Sequence, residues 1–314
     1  MPLILLRVLL MTALFLYSGS GNEPDREVID FSKTVQIERP AENPASPYRL
    51  RVSVAAMISP KETFEYYQRL LDYIGEKMGR QVQLIQRKTY GEINDLIGKG
   101  EIDIAFICSG PYAFGQKKYG FEALAVPMVR SQPFYQSYLI VNRQSPFQTL
   151  RDLKDKTFAF TDPNSNTGRF VPTYWLSQIN EKPETFFSEI NYTYGHDNSI
   201  LAVARSLVDG AAVDSHIWEY FDHTNSALTS QTRIIRKSEN FGSPPLVASK
   251  SLTAQQKKLI REIVLSMHHN AKGRALLQEL MIDRFVPPKE EWYEPIQKML
   301  QTVRPLDQIS HANS

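Results

Sequence analysis

The chain has 314 residues, with 36 basic and 34 acidic side chains and a formal net charge of +2. Apolar residues make up 42% and charged residues 22%, the balance of a globular chain long enough for two full cores. A charge this close to zero gives no bulk electrostatic case for nucleic acid as a partner, and a lone cysteine, Cys108, excludes an intramolecular disulfide.

Residues 1–21 are expected to be an export signal or an N-terminal anchor. An apolar run from Val8 to Tyr17 follows Arg7 and precedes Ser18-Gly-Ser-Gly21. That run is too short to cross a bilayer, which takes about 20 residues, and its flanks are those of a signal peptide. Leu3 to Leu6 extend the apolar stretch ahead of Arg7, the pattern of an anchor, so cleavage is left open. With no cysteine after the run, a bacterial lipid anchor is not available. Residues 22–47 carry Pro24, Pro40, Pro44 and Pro47 among many charges and predict a linker.

A patterned body starts near residue 48. Leu50, Val52, Val54 and Ala56 alternate as in a strand. Ser59-Pro-Lys-Glu62 starts a helix that ends at Gly79. Val82–Gln86 is a second strand, Ile93 to Ile97 a short helix stopped by Gly98, and Ile102–Ile107 a third strand apolar enough for a buried parallel sheet. Ser109-Gly-Pro-Tyr112 then turns where ligands gather in such sheets, or simply leads into a helix. Leu124–Val129 and Ser137–Val141 are further strands.

From Leu150 the α/β logic repeats, with strands at 157–161, 210–214 and 232–236 and a helix over 200–208. A last strand, 246–248, precedes helices at 254–268, 272–281 and 290–300. The fold class predicted is α/β and two-lobed, with mixed sheets flanked by helices. Residues 48–137 and 244–303 make a discontinuous first lobe, 143–237 the second, and 304–314 a tail. The two crossings between lobes fall near 136–144 and 237–245.

The chemistry concentrates at Phe158 to Trp175. A strand passes through Asp162-Pro-Asn-Ser165 into an apolar helix, with Ser165, Asn166, Thr167 and Gly168 at its start. Free N–H groups and hydroxyls at a helix N-terminus suit an anion, and the same residues suit an ordinary cap. Asp162, Asn164 and Asn166 share the first positions of a calcium loop, but Thr167 and Thr173 stand where that loop needs Gly and Glu. Cys108 reads as a core thiol. No Gly-rich phosphate loop with Lys, no His-Glu-x-x-His and no Gly-x-Ser-x-Gly is present, and His268 and His269 are adjacent on a helix, a poor metal pair. No catalytic residue, metal or cofactor is predicted.

In order along the chain, four segments resemble one family. Asp162-Pro-Asn-Ser-Asn-Thr-Gly-Arg-Phe-Val-Pro172 resembles its Asp-Pro-Asn-Ser-Thr-Ser-Gly…Val-Pro motif. Tyr135-Gln-Ser-Tyr-Leu-Ile-Val-Asn142 with Ser145-Pro146 resembles its crossing strand. Gly195-His196, with Leu201-Ala-Val-Ala204 and Val208-Asp209, is similar to its second-lobe motif, and Lys88-Thr-Tyr90 to a Tyr-bearing turn. The family is that of the periplasmic substrate-binding proteins for phosphonate, phosphite and phosphate that serve ABC transporters, with the type II periplasmic-binding fold.

The resemblance, which covers about residues 50–300, implies a monomer that closes on a small phosphorus oxyanion and meets a membrane ABC permease. A membrane sensor kinase is the alternative partner, and a phosphoester or phosphonate hydrolase the enzymatic alternative. Ser165, Asn166, Thr167, backbone near Gly168 and His196 would hold the oxyanion from one lobe, and Tyr90 and Tyr135 would offer hydroxyls from the other side. Asn166 replaces the family's middle Thr. Asp214 does not align with a family ligand: it either pairs with a ligand amine or closes a strand.

Overall fold

The computed structural model describes residues 49–55, 57 and 60–311. The export segment, the linker and the helix-start residue Ser59 lie outside them. Everything below belongs to one compact unit, Ser46–Ser314.

The chain begins β1 (Leu50–Val54), α1 (Pro60–Met78), β2 (Val82–Leu84), α2 (Tyr90–Lys99), β3 (Ile104–Phe106), α3 (Ser109–Tyr119) and β4 (Glu122–Met128). It continues through β5 (Phe134–Tyr135), β6 (Ser137–Asn142), a 3-10 turn, β7 (Thr157–Phe160), a π turn (Asn166–Phe170) and α4 (Val171–Ser177). Next come α5 (Pro183–Phe186), β8 (Glu189–Tyr192), α6 (His196–Ala204), β9 (Gly210–Asp214), α7 (Ser215–Thr224), α8 (Ser226–Thr229) and β10 (Thr232–Lys237). The last elements are β11 (Phe241–Gly242), β12 (Leu246–Ala248), α9 (Ala254–Ser266), α10 (Ala271–Glu279), β13 (Arg284–Val286) and α11 (Glu294–His311).

These strands form two main sheets, ordered β13-β4-β12-β3-β1-β2 and β10-β6-β9-β7-β8. In the first, β1 pairs in parallel with β2 and β3, with Val52 opposite Leu84 and Ile104. The late strand β12 runs antiparallel between β3 and β4, so the end of the chain completes the first sheet. In the second, β7 lies parallel to β8 and β9, and β6 is antiparallel to β9, with Ser137 opposite Asp214. Between the sheets the two connecting segments pair with each other as a short ribbon, β5 with β11, Phe241 opposite Tyr135.

Local sequence explains most boundaries. Thr89 and Glu92 close a capping box at the start of α2, and Gly100 ends it at φ 74°. Gly98, expected to stop this helix, lies inside it; a Cβ there would sit 3.1 Å from the Tyr119 ring of α3, so its smallness serves packing. The segment after β12 is not wholly helical as expected. β13 returns to pair with β4, Phe285 opposite Pro127, with Phe285 buried against Phe106 at a ring separation of 5.9 Å. The strand β8 and the helices α5, α7 and α8 had no counterpart in the sequence reading. The helix expected over 200–208 starts earlier, at His196, and stops at Ala204, leaving Leu207 70% exposed. The first crossing also comes earlier, because β6 already belongs to the second sheet, and α11 runs on through 304–311.

A buried ion pair anchors β1 to β3. Asp103 is fully buried and takes the Arg51 guanidinium at 2.7 and 3.2 Å, together with the Arg51 backbone N–H at 2.8 Å. Arg51→Met should lower stability by about 3 kcal/mol, the low end for a broken buried pair because Arg51 stays partly solvated. The check is the urea midpoint at unchanged slope; a midpoint equal to that of the parent would mean the pair contributes nothing.

Candidate functional site

Site residues gather where the two sheets present the carboxyl ends of their parallel strands. Tyr90 follows β2 and Ser109 follows β3. Asp162 to Gly168 follow β7, His196 follows β8, and Asp214 ends β9. Tyr135 precedes the antiparallel strand β6, so it enters from the same end. Ligands settle in such crevices because loops and helix starts converge there with their N–H groups turned inward.

Asp162 fixes the geometry. Its Oδ1 accepts the Asn164 N–H at 2.7 Å, shaping the turn, and its Oδ2 accepts the Tyr90 N–H at 3.0 Å across from the other sheet. Burial raises its pKa, and the two N–H bonds pull the other way. Both carboxylate oxygens thus serve backbone groups, consistent with a scaffold role rather than a calcium loop.

Ser165 caps the π turn. Its Oγ accepts the Gly168 N–H at 3.0 Å, and its carbonyl accepts both Arg169 and Phe170 N–H groups. The Gly168 N–H is therefore committed within the turn. A Cβ at Gly168 would lie 2.6 Å from Thr161 Cβ, so this glycine is required by close packing on β7 rather than by the approach of a ligand. Ser137 Oγ donates to the Thr167 carbonyl at 2.7 Å.

The hydroxyls and amides form a connected set. Asn166 Nδ2 donates to Tyr135 O–H at 3.1 Å, and Tyr135 O–H shares a proton contact with Ser109 Oγ. Four of the expected residues keep a buried polar atom with no partner among the described residues: Tyr90 Oη, Asn166 Oδ1, Thr167 Oγ1 and His196 Nε2. Such atoms cost about 1–3 kcal/mol each when left unmade.

The protonation state of His196 follows from its neighbours. Its Nδ1 accepts the Asp214 backbone N–H at 3.1 Å and lies 3.1 Å from Thr161 Oγ1. An Nδ1 that accepts cannot carry the proton, so the neutral ring holds it on Nε2, as a donor. Burial keeps the ring neutral, with its pKa pushed down to about 3. Burial likewise raises the phenols of Tyr90 and Tyr135 well above their ordinary value, which keeps both as neutral O–H groups.

Asp214 stands at the junction of β9 and α7. Its carboxylate accepts the N–H groups of His216 and Ile217 at 2.8 and 3.3 Å, capping α7. Burial still pushes its pKa up to about 7. Cys108 is buried as expected, but as the residue capping α3 rather than within a strand. Burial pushes its thiol up to about 11, against bonds from the Asn166 and Gly110 N–H groups.

The expected ligand set left out the supporting residues Ser109, Ser137, Thr161 and Asp162, of which Asp162 stood at the head of the motif. Ser109 carried a signal in the turn after β3. Ser137 and Thr161 carried none, because their roles arise only when β6 and β7 flank β9.

A model of the family described as the ABC transporter, phosphonate, periplasmic substrate-binding protein matches residues 52–293. The chain belongs to this family. It is 31% identical over 152 residues to the phosphonates-binding periplasmic protein of Escherichia coli K12, covering 47% of this chain and 45% of that one. It is 24% identical over 200 residues to the phosphate-import protein PhnD of Mycolicibacterium smegmatis, covering 59% and 61%. The chain thus spans about half the length of these relatives, between 45% and 61%.

Among solved structures, a binding protein component of an ABC phosphonate transporter from Pseudomonas aeruginosa superposes with a TM-score of 0.78 at 24% identity, covering 83% of this chain and 88% of that one. PhnD1 of Prochlorococcus marinus in complex with methylphosphonate gives 0.73 at 17% identity, covering 82% and 99%. At these identities the likeness is one of fold: α/β, two-lobed and of the type II periplasmic-binding class. Among the described residues no helix is long and apolar enough to cross a membrane.

Two outcomes test the geometry. A Cβ at Gly110, in the first turn of α3, would lie 2.9 Å from the Asn164 carbonyl and 3.1 Å from the Asn166 nitrogen. Both are backbone atoms across the cleft, so Gly110→Ala should wedge the lobes apart and enlarge the small-angle scattering radius; an unchanged profile would count against it. Asp214→Asn keeps the oxygen that caps α7 and removes a buried charge. The parent's carboxyl has a folded pKa near 7 against 3.8 unfolded, so its charge penalises the fold progressively from pH 4 to pH 7 and fully above that. The stability of Asp214→Asn relative to the parent should therefore rise between pH 4 and 7 and then level off, by an amount on the order of 4 kcal/mol. The buried histidines slope the opposite way in both proteins and cancel in the difference. A pH-independent difference in denaturation free energy would sink this.

Proposed function

We propose that this chain is an extracytoplasmic solute receptor that closes on a small phosphorus oxyanion, phosphonate, phosphite or phosphate, and delivers it unchanged to a membrane ABC permease. The observation that carries this reading is the set of unpartnered buried atoms on Tyr90, Asn166, Thr167 and His196 at the meeting of the two sheets. Three of them are donors or hydroxyls, and Asn166 can turn either end of its amide to a ligand. A tetrahedral anion presents several acceptor oxygens at once, each able to take more than one of these donors. Hydrogen bonds to a charged acceptor are worth about 1.5–3 kcal/mol each, enough to offset the cost of leaving these groups unpaired.

The contacts between lobes fit closure around a ligand. Tyr90 N–H reaches Asp162, the His196 N–H reaches the Met57 carbonyl at 2.8 Å, and Asn166 reaches Tyr135. Membership in the family supports both the ligand class and the permease, and the apolar run at Val8–Tyr17 supports export.

A thermal-shift series with phosphate, phosphite, methylphosphonate, sulfate and acetate tests the ligand. At about 100 times its Kd, a true ligand adds about 2.7 kcal/mol to apparent stability, and the phosphorus compounds should shift the melting point most. No shift with any of them would remove the assignment. Thr167→Val sharpens the test, because the hydroxyl it deletes has no partner among the described residues. It should leave the unliganded protein equally stable or up to about 1 kcal/mol more stable, while weakening the best phosphorus ligand at least tenfold. A variant that binds normally, or one that unfolds, contradicts a ligand contact at Thr167.

A further inference from the structure

Asn166 opens the π turn with its side chain fully buried, and its Oδ1 has no partner among the described residues. An amide oxygen accepts hydrogen bonds and donates none. The neighbours of this amide settle which end it keeps for a ligand. Tyr135 Oη takes Asn166 Nδ2 at 3.1 Å and also meets Ser109 Oγ. A phenol has one proton to give. Ser109 is the first residue of α3, and the positive partial charge of a helix start favours an oxygen that accepts there. The phenol proton therefore goes to Ser109, the phenol oxygen is left to accept, and only the NH2 end of Asn166 can meet it. The oxygen end is the one left over, next in the chain to the unpartnered Thr167 hydroxyl.

We propose that Asn166 makes this site read a proton on the ligand: its amide oxygen accepts from a hydroxyl on phosphorus, so phosphonates and phosphite bind as their singly protonated monoanions and sulfate is refused. The inference rests on the oxyanion reading above and deepens it. Sulfate, and a phosphonate or phosphite that has lost its second proton, present acceptor oxygens only. Set against Asn166 Oδ1 in a buried site, two acceptors repel, and the amide oxygen stays buried without a bond. A P–OH group donates to that oxygen, while the other oxygens take Thr167, Tyr90 and the Nε2–H of His196. The proton also removes one charge from the ligand, in a site where Asp162 and Asp214 are buried carboxylates and His196 is held neutral by burial. Phosphate stays in the accepted class across the neutral range, because its dianion still carries one hydroxyl.

Tyr90, Cys108, Tyr135, Asp162, Asp214 and His196 are the titratable groups gathered around Asn166. Arg169 of the same turn directs its guanidinium to Tyr192 and Thr173. Asp214, its pKa pushed up to about 7 by burial, titrates within the neutral range, so the pH profile of any one ligand mixes protein and ligand protons. The ratio of two ligand affinities at one pH cancels the protein's share.

Isothermal titration of the full chain with phosphate, methylphosphonate, phosphite and sulfate between about pH 6 and about pH 9 decides the point. The affinity ratio of phosphate to methylphosphonate should climb about tenfold per pH unit once methylphosphonate passes its second ionisation. The ratio of phosphate to phosphite should climb from a lower pH, because phosphite is the stronger acid. Sulfate should bind at least about tenfold more weakly than phosphate. Asn166→Thr supplies a hydroxyl that can turn to donate, and Tyr135→Phe deletes the oxygen that holds Nδ2, so that the amide can turn its NH2 end to the ligand. Both variants should flatten the climb, and Asn166→Thr should bring sulfate closer to phosphate. Ratios that stay constant with pH in the parent, or sulfate binding as tightly as phosphate, overturn the inference and leave the oxyanion reading standing. A climb that either variant keeps in full overturns it too. Binding of no phosphorus compound at any pH overturns both.

Discussion

One buried carboxylate, Asp162, sets the relation between the two halves of the site. A carboxylate removed from water must have both oxygens satisfied by hydrogen bonds or shed its charge. Asp162 meets that demand with one N–H from its own turn and one from the start of α2 in the other sheet. The first bond curls the chain so that Asn166 and Thr167 begin the π turn. The second ties the N-terminus of α2, and with it Tyr90, to that turn. A positively polarised helix start facing a carboxylate is itself favourable, so the same contact that shapes the turn also holds the lobes together on this side.

Elsewhere on the same lobe His196 does the corresponding work. Its backbone N–H bonds to Met57 and its ring nitrogen takes the Asp214 N–H. The second bond orients the ring and leaves the proton on Nε2. Neutral donors set against an anion have a consequence for a receptor. No fixed countercharge needs to be desolvated on closing, and none is left stranded when the ligand departs. The unpaired atoms on Tyr90, Asn166, Thr167 and His196 lower the stability of the unliganded chain, which is the ordinary relation between a preorganised site and the fold that carries it.

Much of the architecture was legible because it is written in local patterns. The strands β9 and β12 appear at their predicted residues, since short apolar runs bounded by Gly, Pro and Asp allow few readings. β8 was not legible: Glu189-Ile-Asn-Tyr192 is an edge strand with alternate exposure, and its strand character comes from pairing with β7. β13 was hidden for a similar reason, as three residues among helices that become a strand only because β4 offers an edge. Of the site, residues in contiguous motifs could be named in advance. The roles of Ser137, Ser109 and Thr161 could not, because each depends on register between strands distant in sequence. Gly168 shows the opposite limit: its type was informative, and its reason was packing against Thr161.

The sequence also contained a conflict at Pro172, which falls where a helix begun at Ser165 should donate an N–H to the Gly168 carbonyl. A proline at that place kinks a regular helix or interrupts its first turn. The chain resolves it by widening the turn. The Phe170 N–H bonds to the Ser165 carbonyl and the Val171 N–H to the Asn166 carbonyl, each one residue longer than an α bond, before α4 resumes with Pro172 in its first turn. The Gly168 carbonyl, released by the missing proline N–H, accepts the N–H of Thr161, the residue after β7, at 3.4 Å. A π turn of this kind is uncommon and recurs at functional sites. Here its effect is specific: the wider ring lets the Ser165 hydroxyl cap from inside the turn while the Thr167 hydroxyl stays without an internal partner. The residue that breaks the helix rule and the atom left to meet a ligand are therefore two consequences of one backbone adjustment.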